Sequence, residues 1–196
     1  MNSLLQIKER LLSLAREIQA VVPGLYLAGG TAIMIKHEHR ISTDLDLFTE
    51  KGGLSRIESR VRRRFEPEIE RIVHFPGGDN VDLFVRGIKA SFVRFPFPNV
   101  EPTETIGGVK LASDRDLLLN KIYVAGRRVE AKDPTDIACL LDRHRDWPRT
   151  LIRADFRRKF KDEKFEIYLA AVMAFDDYPG LEQSARSVLE RWNAED

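Results

Sequence analysis

The chain predicts an α/β fold, a mixed sheet flanked by helices, followed by an all-helical C-terminal region. Three observations predict it. Alternating polar and apolar stretches, the period of a strand, lie between helical stretches up to about residue 112. Beyond that point apolar positions recur only at helical spacing. The charge also shifts: residues 149–164 carry seven Lys/Arg against three Asp/Glu, and residues 165–196 carry two against seven. The expected division is a core with a leading helix over 1–112 and a helical region over 113–196.

The elements follow in order. Leu4, Leu5, Ile7, Leu11, Leu12, Leu14, Ile18 and Val21 recur near a 3.6 period with charges between them, an amphipathic helix that stops before Pro23-Gly24. Residues 25–28 form a short apolar strand, Gly29-Gly30 breaks it, and residues 31–35 start a second helix. Residues 43–48 alternate as a strand, and 54–65 form a basic helix. Residues 69–75 and 81–85 read as strands around the Pro76-Gly77-Gly78-Asp79-Asn80 turn, with another at 91–95. After the loop of Pro96, Pro98 and Pro102 comes a short strand at 109–111. A helix over 114–125 is followed by one with Asp133 at its cap, Pro134 in its first turn and Ile137, Ala138, Leu140 and Leu141 beyond.

Composition bounds the class. At 43% hydrophobic and 32% charged, the 196 residues suffice for a real core and are too apolar for disorder. Lys plus Arg number 32 against 31 Asp plus Glu, which argues against a generic nucleic-acid-coating protein. No apolar run approaches the roughly 20 residues of a membrane span, and the N-terminus lacks a signal-peptide apolar core. Cys139 stands alone, so neither an internal disulfide nor a thiolate zinc cluster is available. A soluble, cytoplasmic protein is expected, with no membrane partner.

The chemistry lies in the carboxylates. Gly29-Gly30 is followed, after thirteen residues, by Asp44-Leu45-Asp46-Leu47. Side chains i and i+2 of a strand project from one face, so Asp44 and Asp46 stand side by side, while Leu45 and Leu47 pack behind. Two carboxylates about 5 Å apart repel by about 1 kcal/mol in water and several times more at lower dielectric, so the pair calls for a cation. Carboxylate oxygens suit Mg2+, which keeps waters and collects phosphates. Asp82, between Val81 and Leu83, repeats the apolar-acid-apolar setting; beside the first strand it would complete a set of three acids. Three acids can hold two metal ions for in-line attack on a phosphoryl group. Gly29-Gly30 at a helix N-terminus adds a backbone seat for phosphate.

Together these residues resemble the nucleotidyltransferase fold of the polymerase β superfamily. The later run is more specific. Gly108-Val109-Lys110-Leu111-Ala112-Ser113, Asp116-Leu117, Lys121, Arg128, Lys132-Asp133 and Asp136-Ile137 resemble the AbiEii-type nucleotidyl transferases, many of them toxins of toxin–antitoxin pairs. Leu27-Ala28-Gly29-Gly30-Thr31-Ala32 with Arg40, Ser42 and Asp44 fits the same pattern, and the resemblance spans about residues 25–141. Val124 departs from it, where the family often has Ala. The resemblance implies Asp44, Asp46 and Asp82 as metal-binding acids, with Asp82 helping to activate the attacking hydroxyl. It implies that Lys121 faces the nucleotide phosphates and that Arg128, Asp133 and Asp136 form the adjoining nucleotide-binding motif. Gly29, Gly30, Thr31, Arg40 and Ser42 would complete the phosphate seat.

Physical readings compete at several of these positions. Lys121 and Arg128 share a face if their helix runs on to Arg128. Asp133 is also a natural N-cap, Asp136 can serve the helix dipole or pair with Lys132, and Arg40 can be a surface residue. His37, Glu38 and His39 face different directions on a helix end and His74 and His144 lack partners at ligand spacing, so no metal site is read there. Arg60, Arg62, Arg63 and Arg64, and the basic segment 149–164, are read as solvated charge rather than an RNA contact. Phe156, Phe160 and Phe165 fit a helical core face.

The expected activity is Mg2+-dependent transfer of NMP from an NTP, with Mn2+ as the alternative ion. The acceptor would be a hydroxyl of an RNA end, such as tRNA, or of a protein, in a cleft between the acids and the Lys121 helix. An antitoxin is the expected partner. The alternatives are a non-catalytic partner-binding protein on the same fold and a nucleotidyltransferase acting on a small molecule such as an antibiotic.

Overall fold

The computed structural model describes residues 4–161 and 163–194. The chain forms two compact units. The first holds the described residues up to Pro98 and Pro102–Ser113; the second holds Asn99–Glu101 and the described residues from Asp114 onward.

In the first unit the elements run α1 (Leu4–Val21), β1 (Tyr26–Ala28), α2 (Gly29–His37), β2 (Leu45–Thr49), α3 (Leu54–Phe65), β3 (Ile69–His74), β4 (Asn80–Val85), β5 (Ile88–Arg94), β6 (Glu104–Ile106) and β7 (Val109–Leu111). They build one seven-stranded sheet in the order β3-β4-β5-β2-β1-β7-β6. The sheet is mixed: β2 runs parallel to β5 and β1 to β7, and the other neighbours are antiparallel. Period-2 alternation divides its central strands into two faces. Leu45 and Leu47 of β2, Val81, Leu83 and Val85 of β4, and Ala90 and Phe92 of β5 are buried. Helix α3 lies against β4 and β5 and buries Ile57, Val61 and Phe65, the apolar stripe of an otherwise basic helix. The alternate positions Asp46, Asp82, Lys89 and Ser91 share the other face. Helix α1 buries Leu11, Leu14, Ala15 and Ile18 at helical spacing and stops, as its sequence predicts, before Pro23.

The second unit is helical: α4 (Asp114–Ala125), α5 (Lys132–Arg143), α6 (Arg149–Lys159), α7 (Phe165–Met173) and α8 (Gln183–Ala194). Phe156, Phe160 and Phe165 are buried as their spacing predicts, with Tyr123 stacked on Phe160 at 4.4 Å between ring centroids. Gly126 ends α4 where only a hydrogen fits, because a Cβ there would stand 2.2 Å from the Tyr168 ring.

Some boundaries differ from expectation. Strand β5 begins at Ile88 rather than 91, and β6, short and polar, was not anticipated. Helix α4 ends at Ala125, so Arg128 lies beyond it rather than on a continued face. Asp133 lies inside α5, whose N-cap is Ala131, and its carboxylate takes other partners than a cap would.

Candidate active site

Strand register brings the acids of the first unit onto one face. Asp46 pairs with Ser91 across β2 and β5, and Ser91 pairs with Asp82 across β5 and β4. Asp46 and Asp82 therefore flank Ser91 in one row, about 10 Å apart at their backbones, with only a small hydroxymethyl group between them. Asp44 lies two residues before Asp46, just ahead of β2. Lys89, two residues before Ser91, sends its Nζ to 3.3 Å from Asp44 Oδ2 and 3.8 Å from Asp82 Oδ2. Two carboxylates thus lie within 4 Å of one ammonium, and the charge of Asp46 also acts on it. Burial is the strongest single influence on Lys89 and opposes its charge, yet Asp44, Asp82 and Asp46 together outweigh it and raise its pKa.

The acids differ in setting. The Asp44 side chain is half exposed and that of Asp82 is buried. Asp82 Oδ1 has no hydrogen-bond partner among the described residues. A buried carboxylate oxygen left unmatched is costly, and a cation or a hydroxyl proton would remove that cost.

The entry to α2 shapes the acid side of the site. Gly29 has φ +64°, and a Cβ on it would stand 2.0 Å from Asp46 Oδ2, so glycine alone lets that carboxylate lie against the helix start. Ala28, the N-cap of α2, makes no side-chain cap hydrogen bond, and the first-turn N–H groups suit an anion. Thr31 is fully buried; its Oγ1 donates to the Asp44 carbonyl at 2.5 Å and lies 2.7 Å from Ser42 Oγ. Thr31 and Ser42 thereby pin the backbone that carries Asp44. Arg40 donates to the neighbouring Ile41 carbonyl at 3.2 Å.

In the second unit the conspicuous charges form a closed network. Lys121 Nζ is 2.7 Å from Asp133 Oδ1 and 2.6 Å from Asp136 Oδ2, and both carboxylates are fully buried. Arg128 holds Asp133 through two bonds, Nε to Oδ2 at 2.8 Å and Nη2 to Oδ1 at 3.1 Å. Burial pushes the Asp133 pKa up, but hydrogen bonding from Arg128 and the charge and hydrogen bond of Lys121 prevail and lower it. Lys132 pairs with Glu130 at 2.6 Å, not with Asp136. Asp116, also fully buried, takes Lys159 at 2.5 Å and the backbone N–H groups of Val100 and Glu101. The histidines are partnered as well: His144 meets Asp114 at 2.7 Å and stacks on Trp147, and His74 meets Glu58.

Among the described residues no group of three or more His, Cys, Asp or Glu side chains stands ready to hold a metal ion. The donor chemistry of the sheet face nonetheless fits one. Hard carboxylate oxygens of Asp44 and Asp82 share one ammonium there, an Asp82 oxygen is buried and unmatched, and room beside Asp46 is kept by Ser91 and Gly29. Lys89 escaped the sequence reading, which began this strand at 91. The alternation Ile88-Lys89-Ala90-Ser91-Phe92 is the signal that extends the strand and puts Lys89 on the acid face.

Among the described residues no helix is long and apolar enough to cross a membrane. Comparison with known proteins points in one direction. The sequence pattern of the nucleotidyl transferase AbiEii toxin family, a type IV toxin–antitoxin system, matches residues 11–194. An uncharacterized protein of Aquifex aeolicus is 29% identical over 163 residues, covering 78% of this chain and 74% of its own. A crystal structure of a candidate nucleotidyltransferase from H. pylori superposes with a TM-score of 0.58 at 19% identity, covering 94% of this chain and 92% of that one. JHP933 from Helicobacter pylori gives 0.51 at 15% identity over 93% and 90%. The Megavirus polyadenylate synthase gives 0.50 at 12% identity over 69% of this chain and 31% of its own. These structural likenesses share the fold.

Proposed function

This chain belongs to the AbiEii family of nucleotidyl transferase toxins, and on that premise we propose that its sheet face moves NMP from an NTP to an acceptor hydroxyl. The observation that carries the reading is the row Asp46–Ser91–Asp82, with Asp44 joined to Asp82 through Lys89. Asp44, Asp46 and Asp82 would hold Mg2+, or Mn2+ in its place. Such an ion, when bound, supplies positive charge against the triphosphate and the three acids.

The chain's own groups do the rest. The first-turn N–H groups of α2, from Gly29 and Gly30 onward, receive phosphate oxygens, and Gly29 keeps that approach open. Thr31 and Ser42 act through the backbone of Asp44 rather than on the nucleotide. The unmatched Oδ1 of Asp82 accepts the proton of the acceptor hydroxyl. The acceptor's own oxygen, freed of that proton, attacks the α-phosphorus, the bond to the bridging oxygen breaks, and pyrophosphate leaves. Lys121 spends two of its three N–H bonds on Asp133 and Asp136, and these acids and Arg128 position it for the phosphate-facing role that the family resemblance implies. Arg40, in the loop between α2 and β2 that carries Ser42 and Asp44, is assigned to the outer phosphate charge.

The acceptor is an RNA end, such as that of tRNA, or a protein hydroxyl, and family membership makes an antitoxin the expected protein partner. The test is transfer of label from α-labelled NTPs in Mg2+, using the full chain, Asp46→Asn and Lys121→Met. Incorporation by the parent protein and a loss of about 100-fold or more in each variant is expected. Equal incorporation by all three overturns the assignment.

A further inference from the structure

We infer that Lys89 is a resident counter-cation of the acid cluster, seated between Asp44 and Asp82, which a divalent ion must displace on entering. The inference rests on the reading of these acids as metal ligands and adds the residue that sets how readily they bind.

The geometry carries it. Asp44, just ahead of β2, and Asp82, on β4, are linked among the described residues by Lys89 alone, at 3.3 and 3.8 Å. Neither acid has another ion-pair partner among the described residues. The ammonium is fixed there by topology: Lys89 pairs with Phe84 on one side, and on the other the parallel ladder of β2 and β5 opens with Leu45 opposite Ala90, which brings the residues just before them, Asp44 and Lys89, alongside. A four-carbon stem gives it reach to leave, and its side chain is one-third exposed, so its path to solvent is open. Contrast Lys159, which neutralises Asp116 with both side chains wholly buried and is locked in place.

Two consequences follow from this seat. Without metal, Lys89 relieves the repulsion among three carboxylates and holds the site assembled. With metal, the same positive charge competes for the same oxygens. A lysine that merely supported the sheet would leave metal affinity unchanged or, on removal, weaken it.

The experiment is calorimetric titration of the full chain with Mn2+ alone, comparing the parent protein with Lys89→Met and with Lys51→Met, which removes one charge from the loop after β2. Lys89→Met is expected to bind Mn2+ tighter by roughly tenfold or more, as removing one charge a few ångström from a divalent ion requires. Lys51→Met is expected to stay within about twofold of the parent, as for an exposed charge screened by water and salt. Thermal unfolding in EDTA supplies a second readout: Lys89→Met melts lower than the parent, and Mn2+ restores it. Equal or weaker binding by Lys89→Met, or equal tightening by Lys51→Met, overturns the inference and leaves the metal reading standing. Absence of Mn2+ binding in all three proteins overturns both.

Discussion

Two acidic clusters in this chain look alike in sequence and differ in electrostatics. In the helical unit, Asp133 and Asp136 face Lys121 and Arg128, and Asp116 faces Lys159. Carboxylates and cations match there, and the acids are wholly buried. On the sheet, Asp44 and Asp82 share one lysine, Asp82 keeps an unmatched oxygen, and Asp46 lies against a glycine that leaves it room. Charge that is matched and buried holds a fold together. Buried charge left without a full set of partners, as at Asp82, costs stability, and the proposed function supplies the reason to keep it.

That contrast can be broken by substitution, beginning with the largest expected effect. Lys159→Met leaves Asp116 buried without its cation and should destabilise the chain by about 3–5 kcal/mol in urea unfolding, the cost of breaking a buried pair from one side. Asp133→Asn weakens the bonds to both Lys121 and Arg128 and should cost about 2–3 kcal/mol. Its pH dependence has a definite sign. The folded pKa of Asp133 lies below its unfolded value near 3.8, so its contribution is complete above that value and is lost as pH falls through the lower folded one. Asp133→Asn should therefore flatten the acid limb of a stability–pH curve.

The sheet should respond differently. Gly29→Ala places a Cβ against Asp46 in a left-handed backbone and should cost about 1–2 kcal/mol, with a larger loss of transfer activity than of stability. Asp82→Asn removes one of the unbalanced charges and should change stability by less than about 1 kcal/mol, in the stabilising direction, while abolishing transfer. A large destabilisation by Asp82→Asn would place the two clusters in the same class.

Much of this was legible in the sequence because it is written in period and register. The alternation Asp44-Leu45-Asp46-Leu47 marked a strand and put Asp46 opposite its buried leucines, although β2 starts at Leu45 and leaves Asp44 just ahead of it, and the apolar frame of Asp82 put it on the same kind of strand. The helix at 114–125 and the one that follows Asp133-Pro134 announced themselves, the second by Pro134 in its first turn and the apolar residues from Ile137 to Leu141. What could not be read depends on partners distant in the chain. Asp133 looks like a helix cap because Asp before Pro suits that position, and only packing reveals that Lys121 and Arg128 claim its oxygens. Strand β6 is too short and too polar to mark itself. Lys89 is an ordinary strand residue until β2, β4 and β5 are set side by side.

The central claim is that the acids of the sheet face are where the nucleotide reacts. A crystal of the full chain soaked with Mg2+ and a non-hydrolysable NTP tests it most directly. The account predicts metal bound to Asp44, Asp46 and Asp82, the triphosphate at the start of α2, and the Lys89 side chain withdrawn from between the acids. A nucleotide bound elsewhere, with the Lys89 contacts to Asp44 and Asp82 unchanged, would contradict it.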